Sequence, residues 1–265
     1  KKRLPGIREL ALTFAHVDPI NTPIPVVPTC HYMMGGLPTN VHGQVMTLNK
    51  EGQDQVVAGL YAAGECACVS VHGANRLGGN SLLDLVVFGR SAGLHVEESL
   101  KQDLPLLAIS EDDLDLALAR LNRWNQSTQG ESLVEIRHAM QKTMQTDFGV
   151  FRTAKYMQEG LVKLKELKQR LNHAVLSDQS QVFNTARIEA LELDNLMEVA
   201  YASAVSALTR EESRGAHSRE DFPKRDDKNW LKHLLYFTIE AKIAYRAVNR
   251  KPLTVPPMEL KDRVY

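Results

Sequence analysis

Apolar residues recur at helical spacing through the middle of the chain. Leu114, Ala117, Leu118 and Leu121 follow one another at intervals of three or four residues, which is typical of an amphipathic helix. Ser110 precedes them, and three acidic residues follow it, so Ser110 is the predicted N-cap of this helix. The same periodicity predicts three further helices, near residues 133–144, 155–171 and 187–208.

The last of these predicted helices carries a narrow stripe of mostly small side chains. A stripe of this kind favours close packing between antiparallel helices. Residues 105–210 are therefore predicted to form an antiparallel helical bundle with a mainly structural role. The stripe consists of Leu193, Leu196, Ala200, Ser203, Ala204 and Ala207.

The first hundred residues have a different pattern, with short apolar runs bounded by glycine and proline. This pattern predicts buried strands and functional loops rather than long helices. One strand is predicted over 59–65, ending at Gly64-Glu65. A helix is predicted over 82–98, and its nearly continuous apolar residues indicate burial on most sides.

Composition narrows the class of partner. Lys plus Arg is 32 and Asp plus Glu is 32, so the formal net charge is zero, which argues against nucleic acid as a partner. The longest interior apolar run is too short to cross a bilayer, so any membrane association is expected to come through a partner. The three cysteines, Cys30, Cys66 and Cys68, lack metal-ligand spacing, and we expect buried thiols rather than a metal site.

The densest chemical signal lies in the segment HGANRLGGNSLLDLVVFGR, residues 72–90. A loop with three glycines and a single arginine, Arg76, leads into an apolar helix that Ser81 is predicted to open. Helix N-termini carry unpaired N–H groups and a partial positive charge, so they suit an anion or the electron-rich edge of a reduced flavin. An ordinary capped helix start explains the same residues equally well. The chain has no G-x-G-x-x-G after a strand, so no dinucleotide pyrophosphate site is predicted.

Segment 72–90 resembles the flavin-proximal segment of the succinate dehydrogenase and fumarate reductase flavoprotein family. His31-Tyr-Met-Met-Gly-Gly resembles that family's substrate-histidine loop. Glu212-Ser-Arg-Gly-Ala-His-Ser-Arg, with Asp221-Phe-Pro and Arg225-Asp-Asp after it, resembles the family's C-terminal motif. The three segments occur in the family's order along nearly the whole chain.

The resemblance implies roles for individual residues. His31 and Arg76 would hold the substrate carboxylates, and an arginine suits a small dianion because it stays charged and can bind a carboxylate bidentately. Glu65 would contact FAD, while Ser81 and Leu82 would present backbone groups to the flavin. Arg214 and His217 would lie near the flavin, although a structural charge network is an equally good interpretation of their sequence.

The resemblance further implies an FAD-dependent oxidation of succinate to fumarate, with electrons leaving through an iron–sulfur subunit to quinone. Membrane anchor subunits would hold the complex on the cytoplasmic face of a bacterial inner membrane, with this chain peripheral. The nucleotide-binding glycines, the flavin-linking histidine and the proton-accepting arginine of the family would precede residue 1. We therefore expect a fragment without a catalytic base, inactive alone.

Two related enzymes remain as alternatives. Fumarate reductase uses the same kind of site in the opposite direction, but Gly79 and Leu83-Asp84 favour the dehydrogenase branch. L-aspartate oxidase shares the Glu-Ser-Arg-Gly sequence and has a less glycine-rich loop.

The expected fold class is α+β, with a partial FAD-binding α/β domain followed by the helical bundle and a small C-terminal α+β region. The predicted division is 1–27, the end of a capping domain; 28–104, the FAD-binding segment; 105–210, the bundle; and 211–265, the C-terminal region.

Overall fold

A computed structural model describes residues 3–26, 30–102, 108–125, 129–252 and 254–261. The chain separates into two compact units, Lys1–Met33 and Met34–Tyr265. The predicted domain boundaries at 27/28 and 104/105 fall outside the described residues, and the four-part division stays a prediction.

The first unit contains one short helix. Helix α1 spans Pro5–Leu10, with proline in its first turn, and continues into a wider helical turn over Ala11–Ala15. Arg8 donates from Nε and Nη2 to the two carboxylate oxygens of Asp18, at 3.0 and 2.7 Å. This bidentate pair fastens the helix to the loop that follows it.

The second unit opens with two small sheets. Strands β1 (Leu37–Pro38) and β4 (Ala67–Cys68) pair in parallel, while β2 (Gln44–Leu48) and β3 (Asp54–Tyr61) form an antiparallel hairpin. The strand predicted over 59–65 therefore ends at Tyr61, and Gly64–Cys66 forms a single 3₁₀ turn. Gly64 has φ +78°, a left-handed conformation that breaks the extended backbone.

Helix α2 spans Asn80–Leu100 and confirms the helix predicted over 82–98. Its predicted burial was wrong for this chain, since Asp84 is its only buried residue among those described. Leu82 is 69% exposed and Leu83 is 63% exposed. The prediction of buried thiols was also wrong, because Cys30 and Cys66 are exposed and Cys68 is half-buried.

The predicted helices after residue 110 are confirmed. Helix α3 spans Glu111–Asn122, and Ser110 Oγ caps it by accepting from the Asp113 N–H at 3.1 Å. The bundle helices are α4 (Leu133–Asp147), α5 (Ala154–Leu171) and α6 (Thr185–Thr209), with α5 packed against both of the others. A short parallel pair, β5 (Glu131–Ser132) with β6 (Ala174–Val175), joins the residues that precede α4 to those that follow α5.

The hydrophobic core lies inside this bundle. Ile136, Met157, Leu164 and Leu193 have no exposed surface, and each comes from the apolar face of its helix. In the α6 stripe, Leu193, Ala200 and Ala204 are buried as predicted, but Leu196 is exposed and Met197 takes its place in the core.

The C-terminal region is small and mixed, as predicted. A single helical turn, α7 (Asp227–Trp230), precedes the antiparallel hairpin of β7 (Lys232–Phe237) and β8 (Lys242–Ala247). The hairpin register runs from Lys232 opposite Ala247 to Phe237 opposite Lys242. The observed architecture is α+β.

Candidate functional site

The glycine-rich loop ends at the first turn of helix α2. Gly79 has φ +83°, and the helix begins at Asn80, one residue before the predicted start at Ser81. Ser81 and Leu82 therefore lie within the first turn, where backbone N–H groups point out of the helix end. The Leu82 N–H donates to the Gly79 carbonyl at 3.2 Å.

A hydrogen bond ties the start of this loop to the helix. His72 Nε2 lies 2.7 Å from Asp84 Oδ2, and both side chains are largely buried. Because an ionised carboxylate can only accept, the histidine is the donor. Asp84 is thus a buried acid with a partner, which explains why it points inward from an otherwise apolar segment.

Arg76 lies in the middle of this loop and is half-buried. Its Nη1 donates to the carbonyl oxygen of the next residue, Leu77, at 3.2 Å. This contact folds the guanidinium back along the loop, close in sequence and in space to the start of helix α2. The cation predicted to hold a carboxylate is therefore placed next to a helix N-terminus, which is itself an electropositive feature.

The turn that carries Glu65 packs on the same helix. A Cβ at Gly64 would lie 2.3 Å from Leu85 Cδ2, and the left-handed φ of +78° at this position also favours glycine. The neighbouring Glu65 is exposed, as is Leu82. The predicted cofactor residues thus include an accessible carboxylate, a helix N-terminus and an open apolar surface. These features fit a ligand with hydroxyl groups and a flat aromatic ring, as FAD has.

The C-terminal motif forms a buried charge network. Glu212 is fully buried and accepts from Arg210 Nη1 at 2.6 Å and from Arg214 Nε and Nη2 at 2.8 and 2.9 Å. Arg214 also donates to Asp227 at 2.7 Å, and the Asp226 N–H donates to Glu212 at 2.9 Å. Burial by itself raises the pKa of Glu212, but these donors outweigh it and the net pKa is lowered.

His217 is held neutral within this network. Its Nε2 lies 3.1 Å from the Arg210 carbonyl oxygen and donates to it, so its Nδ1 accepts from Arg152 Nη1 at 2.9 Å. Burial, together with the positive charges of Arg152 and Arg219, lowers the pKa of His217 to about 4. The hydrogen bond to the Arg210 carbonyl opposes the shift only in part.

Arg219 closes the end of the longest bundle helix. Its side chain is 1% exposed, and Nη1 donates to the carbonyl oxygens of Ala207, Leu208 and Arg210. Its other nitrogens pair with Asp221, whose pKa is lowered to about 2 mainly by these hydrogen bonds. Of the two interpretations open for Arg214 and His217, the charge network is present; their nearness to flavin stays a prediction.

The C-terminal motif also touches the glycine-rich loop. The Ala216 N–H donates to the Ala74 carbonyl at 3.0 Å, across 142 positions of sequence. Sequence reasoning missed this contact, and it missed the roles of His72, Asp84 and Gly215. Asp84 alone had a visible signal, as an acid within the apolar run Leu82–Phe88.

His31 is exposed and belongs to the first unit, whereas Arg76 belongs to the second. Their convergence on one substrate stays a prediction. Within the described ranges, no group of three or more His, Cys, Asp or Glu side chains is arranged to hold a metal ion. The helices of the described residues also include none with the length and hydropathy of a membrane span.

Two known families match parts of this chain. Residues 1–82 match the FAD binding domain family, and residues 137–265 match the family described as fumarate reductase flavoprotein C-term. The chain belongs to the succinate dehydrogenase and fumarate reductase flavoprotein family, and its cofactor is FAD.

Individual relatives give the same assignment. The chain is 59% identical over 99% of its length to a succinate dehydrogenase flavoprotein subunit from Coxiella burnetii, and 43% identical over 89% to a fumarate reductase flavoprotein subunit from a Serratia strain. A solved E. coli quinol fumarate reductase superimposes over 97% of this chain with a TM-score of 0.79 and 40% identity.

The chain spans less than half the length of these proteins. It covers 45% of the Coxiella protein, 38% of the Serratia protein and 43% of the E. coli chain. The activity, substrates and partners of the whole protein are therefore matters of proposal.

Proposed function

We propose that this chain supplies part of the dicarboxylate site and part of the flavin site of a succinate dehydrogenase flavoprotein subunit. The observation that carries the proposal is the placement of Arg76 in a glycine-rich loop that is pinned to the first turns of α2 by His72 and Asp84. The guanidinium of Arg76 is planar and always charged, and it lies beside a helix N-terminus. Such a group is suited to binding a small dianion next to a flavin.

Substrate binding in this proposal depends on Arg76 and His31. The guanidinium binds one carboxylate of succinate bidentately, and the imidazole of His31 donates to the substrate's carboxylate groups as well. Fixing the dianion in this way aligns its two methylene carbons for reaction, and positioning of this kind accounts for much of an enzyme's rate enhancement.

The flavin residues are Glu65, Ser81 and Leu82. Glu65 would accept from a hydroxyl group of the cofactor, and the N-terminus of α2, where Ser81 and Leu82 lie, would place its partial positive charge next to the ring. FAD, when bound, would supply the two-electron acceptor for a hydride from one methylene carbon of succinate. Removal of a proton from the neighbouring carbon by a protein base would complete the oxidation to fumarate.

The residues assigned above bind substrate and cofactor and include no such base. We therefore expect the 265-residue chain alone not to oxidise succinate, and detectable turnover by the purified chain would contradict this expectation. In the whole protein, electrons pass to an iron–sulfur subunit and then to quinone. Membrane anchor subunits hold the complex at the cytoplasmic face of a bacterial inner membrane, with this chain peripheral.

Fumarate reduction is the second candidate. The C-terminal match carries the name of fumarate reductase, and the E. coli superposition supports the same interpretation. The higher identity to the Coxiella dehydrogenase subunit, together with Gly79 and Leu83-Asp84, favours succinate oxidation. Initial rates of the holoenzyme with succinate, fumarate and aspartate separate the dehydrogenase, the reductase and the aspartate oxidase.

The decisive variant is Arg76→Lys in the flavin-loaded protein. Lysine keeps the charge but loses the planar fork, so we expect transition-state stabilisation to fall by roughly 2–4 kcal/mol, or about 30- to 900-fold in kcat/KM for succinate. Arg120→Lys is the matched control, because Arg120 lies on the exposed surface of α3. Equal kinetics in the two variants would refute the role of Arg76.

A further inference from the structure

The loop that carries Arg76 is held from two directions. On one side, His72 donates to the buried Asp84 of helix α2 at 2.7 Å. On the other side, the Ala216 N–H donates to the Ala74 carbonyl at 3.0 Å. Ala74 lies two residues before Arg76, so the second contact acts on the backbone next to the predicted substrate ligand.

Glycine at position 215 makes this second contact possible. Gly215 has φ +59°, which places it in the left-handed region, and a Cβ there would lie 2.5 Å from the Ala74 carbonyl oxygen and 2.9 Å from Ala74 Cβ. Non-bonded atoms do not approach so closely, so any side chain at 215 must push the loop or the turn away.

The turn itself is poorly able to move. Arg214 and His217 exchange backbone hydrogen bonds at 2.8 and 3.0 Å. The Arg214 side chain is paired with the fully buried Glu212, and His217 is fixed between Arg152 and the Arg210 carbonyl. A displacement caused at Gly215 is therefore expected to fall on the glycine-rich loop rather than on the buried network.

We infer that the turn 214–217 is a positioning element for Arg76, and that Gly215 is the residue that sets the distance between them. The inference rests on the proposed role of Arg76 in dicarboxylate binding. Gly215 has no side chain to offer to substrate or flavin, and it acts only through the loop.

The test measures the Kd for a dicarboxylate in the whole protein with FAD bound. Malonate is the probe, because a dianion with a single methylene cannot be dehydrogenated, and its binding is followed through the flavin absorbance. We expect Gly215→Ala to raise the malonate Kd about 10- to 100-fold, as expected when a ligand group is misplaced by roughly 1 Å.

Gly52→Ala is the matched control. Gly52 also has a left-handed φ, +76°, but it lies in the β2–β3 turn, where a Cβ added to it would meet no described atom within 4 Å. Both positions have a left-handed φ that disfavours alanine, and only Gly215→Ala introduces the contact with Ala74. The control is expected to keep the wild-type Kd for malonate.

A double-mutant cycle with Arg76→Ala separates positioning from a general structural effect. If Gly215 acts through Arg76, Gly215→Ala raises the Kd in the wild-type background and leaves it unchanged in the Arg76→Ala background. Additive effects would overturn the inference. If Gly215→Ala fails to retain flavin, the Kd for malonate is measured in Gly215→Asn instead. Asparagine tolerates the left-handed region but still carries a Cβ.

The outcomes distinguish this inference from the proposed function. If Arg76→Ala leaves the malonate Kd unchanged, the substrate role of Arg76 fails, and the positioning inference fails with it. If Arg76→Ala weakens binding but flavin-loaded Gly215→Ala or Gly215→Asn binds malonate as the wild type does, only the positioning inference fails.

Discussion

The helical bundle and helix α2 are both rich in apolar residues, but they differ in what covers those residues. In the bundle, Leu164 of α5 has no exposed surface and contributes to a core built from three helices. In α2, Leu83 is 63% exposed, and the one buried residue among those described is the acid Asp84. The number of apolar residues in a helix therefore does not show which of them the fold buries.

The same contrast holds for charges. Glu212, in the segment that follows α6, is fully buried and accepts from two arginine side chains and one backbone N–H. Glu97, on α2, pairs with Lys101 one turn away, and both side chains are more than half exposed. The bundle end is thus stabilised by buried interactions within this chain, whereas most side chains of α2 are exposed. Three pairs of substitutions, each comparing a buried or half-buried residue with an exposed one, test the contrast.

The largest effect is expected at the buried charge. Glu212→Ala leaves Arg210 and Arg214 without their shared acceptor, so we expect the free energy of unfolding to fall by about 3–5 kcal/mol. Urea denaturation measures it. Glu97→Ala on α2 removes only an exposed i,i+4 pair and is expected to cost less than about 0.5 kcal/mol. A small effect of Glu212→Ala would remove the difference between the two regions.

The next effect is expected in the core. Leu164→Ala creates a cavity in the bundle, and we expect it to lower the free energy of unfolding by about 3 kcal/mol. Leu83→Ala is the same substitution at an exposed position of α2, with an expected cost within about 0.5 kcal/mol. If Leu83→Ala lowered the free energy of unfolding as much as Leu164→Ala, α2 would have to be buried in solution. That result would contradict the difference between the two regions.

A smaller effect is expected from His217, and it depends on pH. Its pKa is about 4 in the folded protein and near 6.5 when unfolded, so the unfolded chain binds more protons between these values. The stabilising effect is complete above pH 6.5 and is lost as the pH falls toward 4, by about 1–3 kcal/mol.

His217→Gln, which keeps a neutral donor, should flatten this part of the stability profile when unfolding is followed from about pH 7 to about pH 4.5. The control is His138→Gln, at an exposed position on α4, which should retain the wild-type slope. An unchanged slope in His217→Gln would show that another group is responsible.

Local patterns were enough to predict the helices. Ser110 caps α3 as expected, and the predicted bundle helices differ from the observed ones by a few residues at their ends. These features depend on neighbours three or four positions apart, so the sequence contains them directly. The flavoprotein family was equally accessible, because its motifs are short and contiguous.

The sequence determined which residues could hold a dianion or a flavin, through residue type and motif. Only the tertiary structure decided what holds them in place. The His72–Asp84 bond and the approach of Gly215 to Ala74 join segments separated by 12 and 141 residues. Such contacts depend on how whole helices and loops pack together. The local pattern of apolar residues does not encode which distant segments meet. For the same reason the apolar residues of α2 predicted burial, while the fold of this chain buries its aspartate instead.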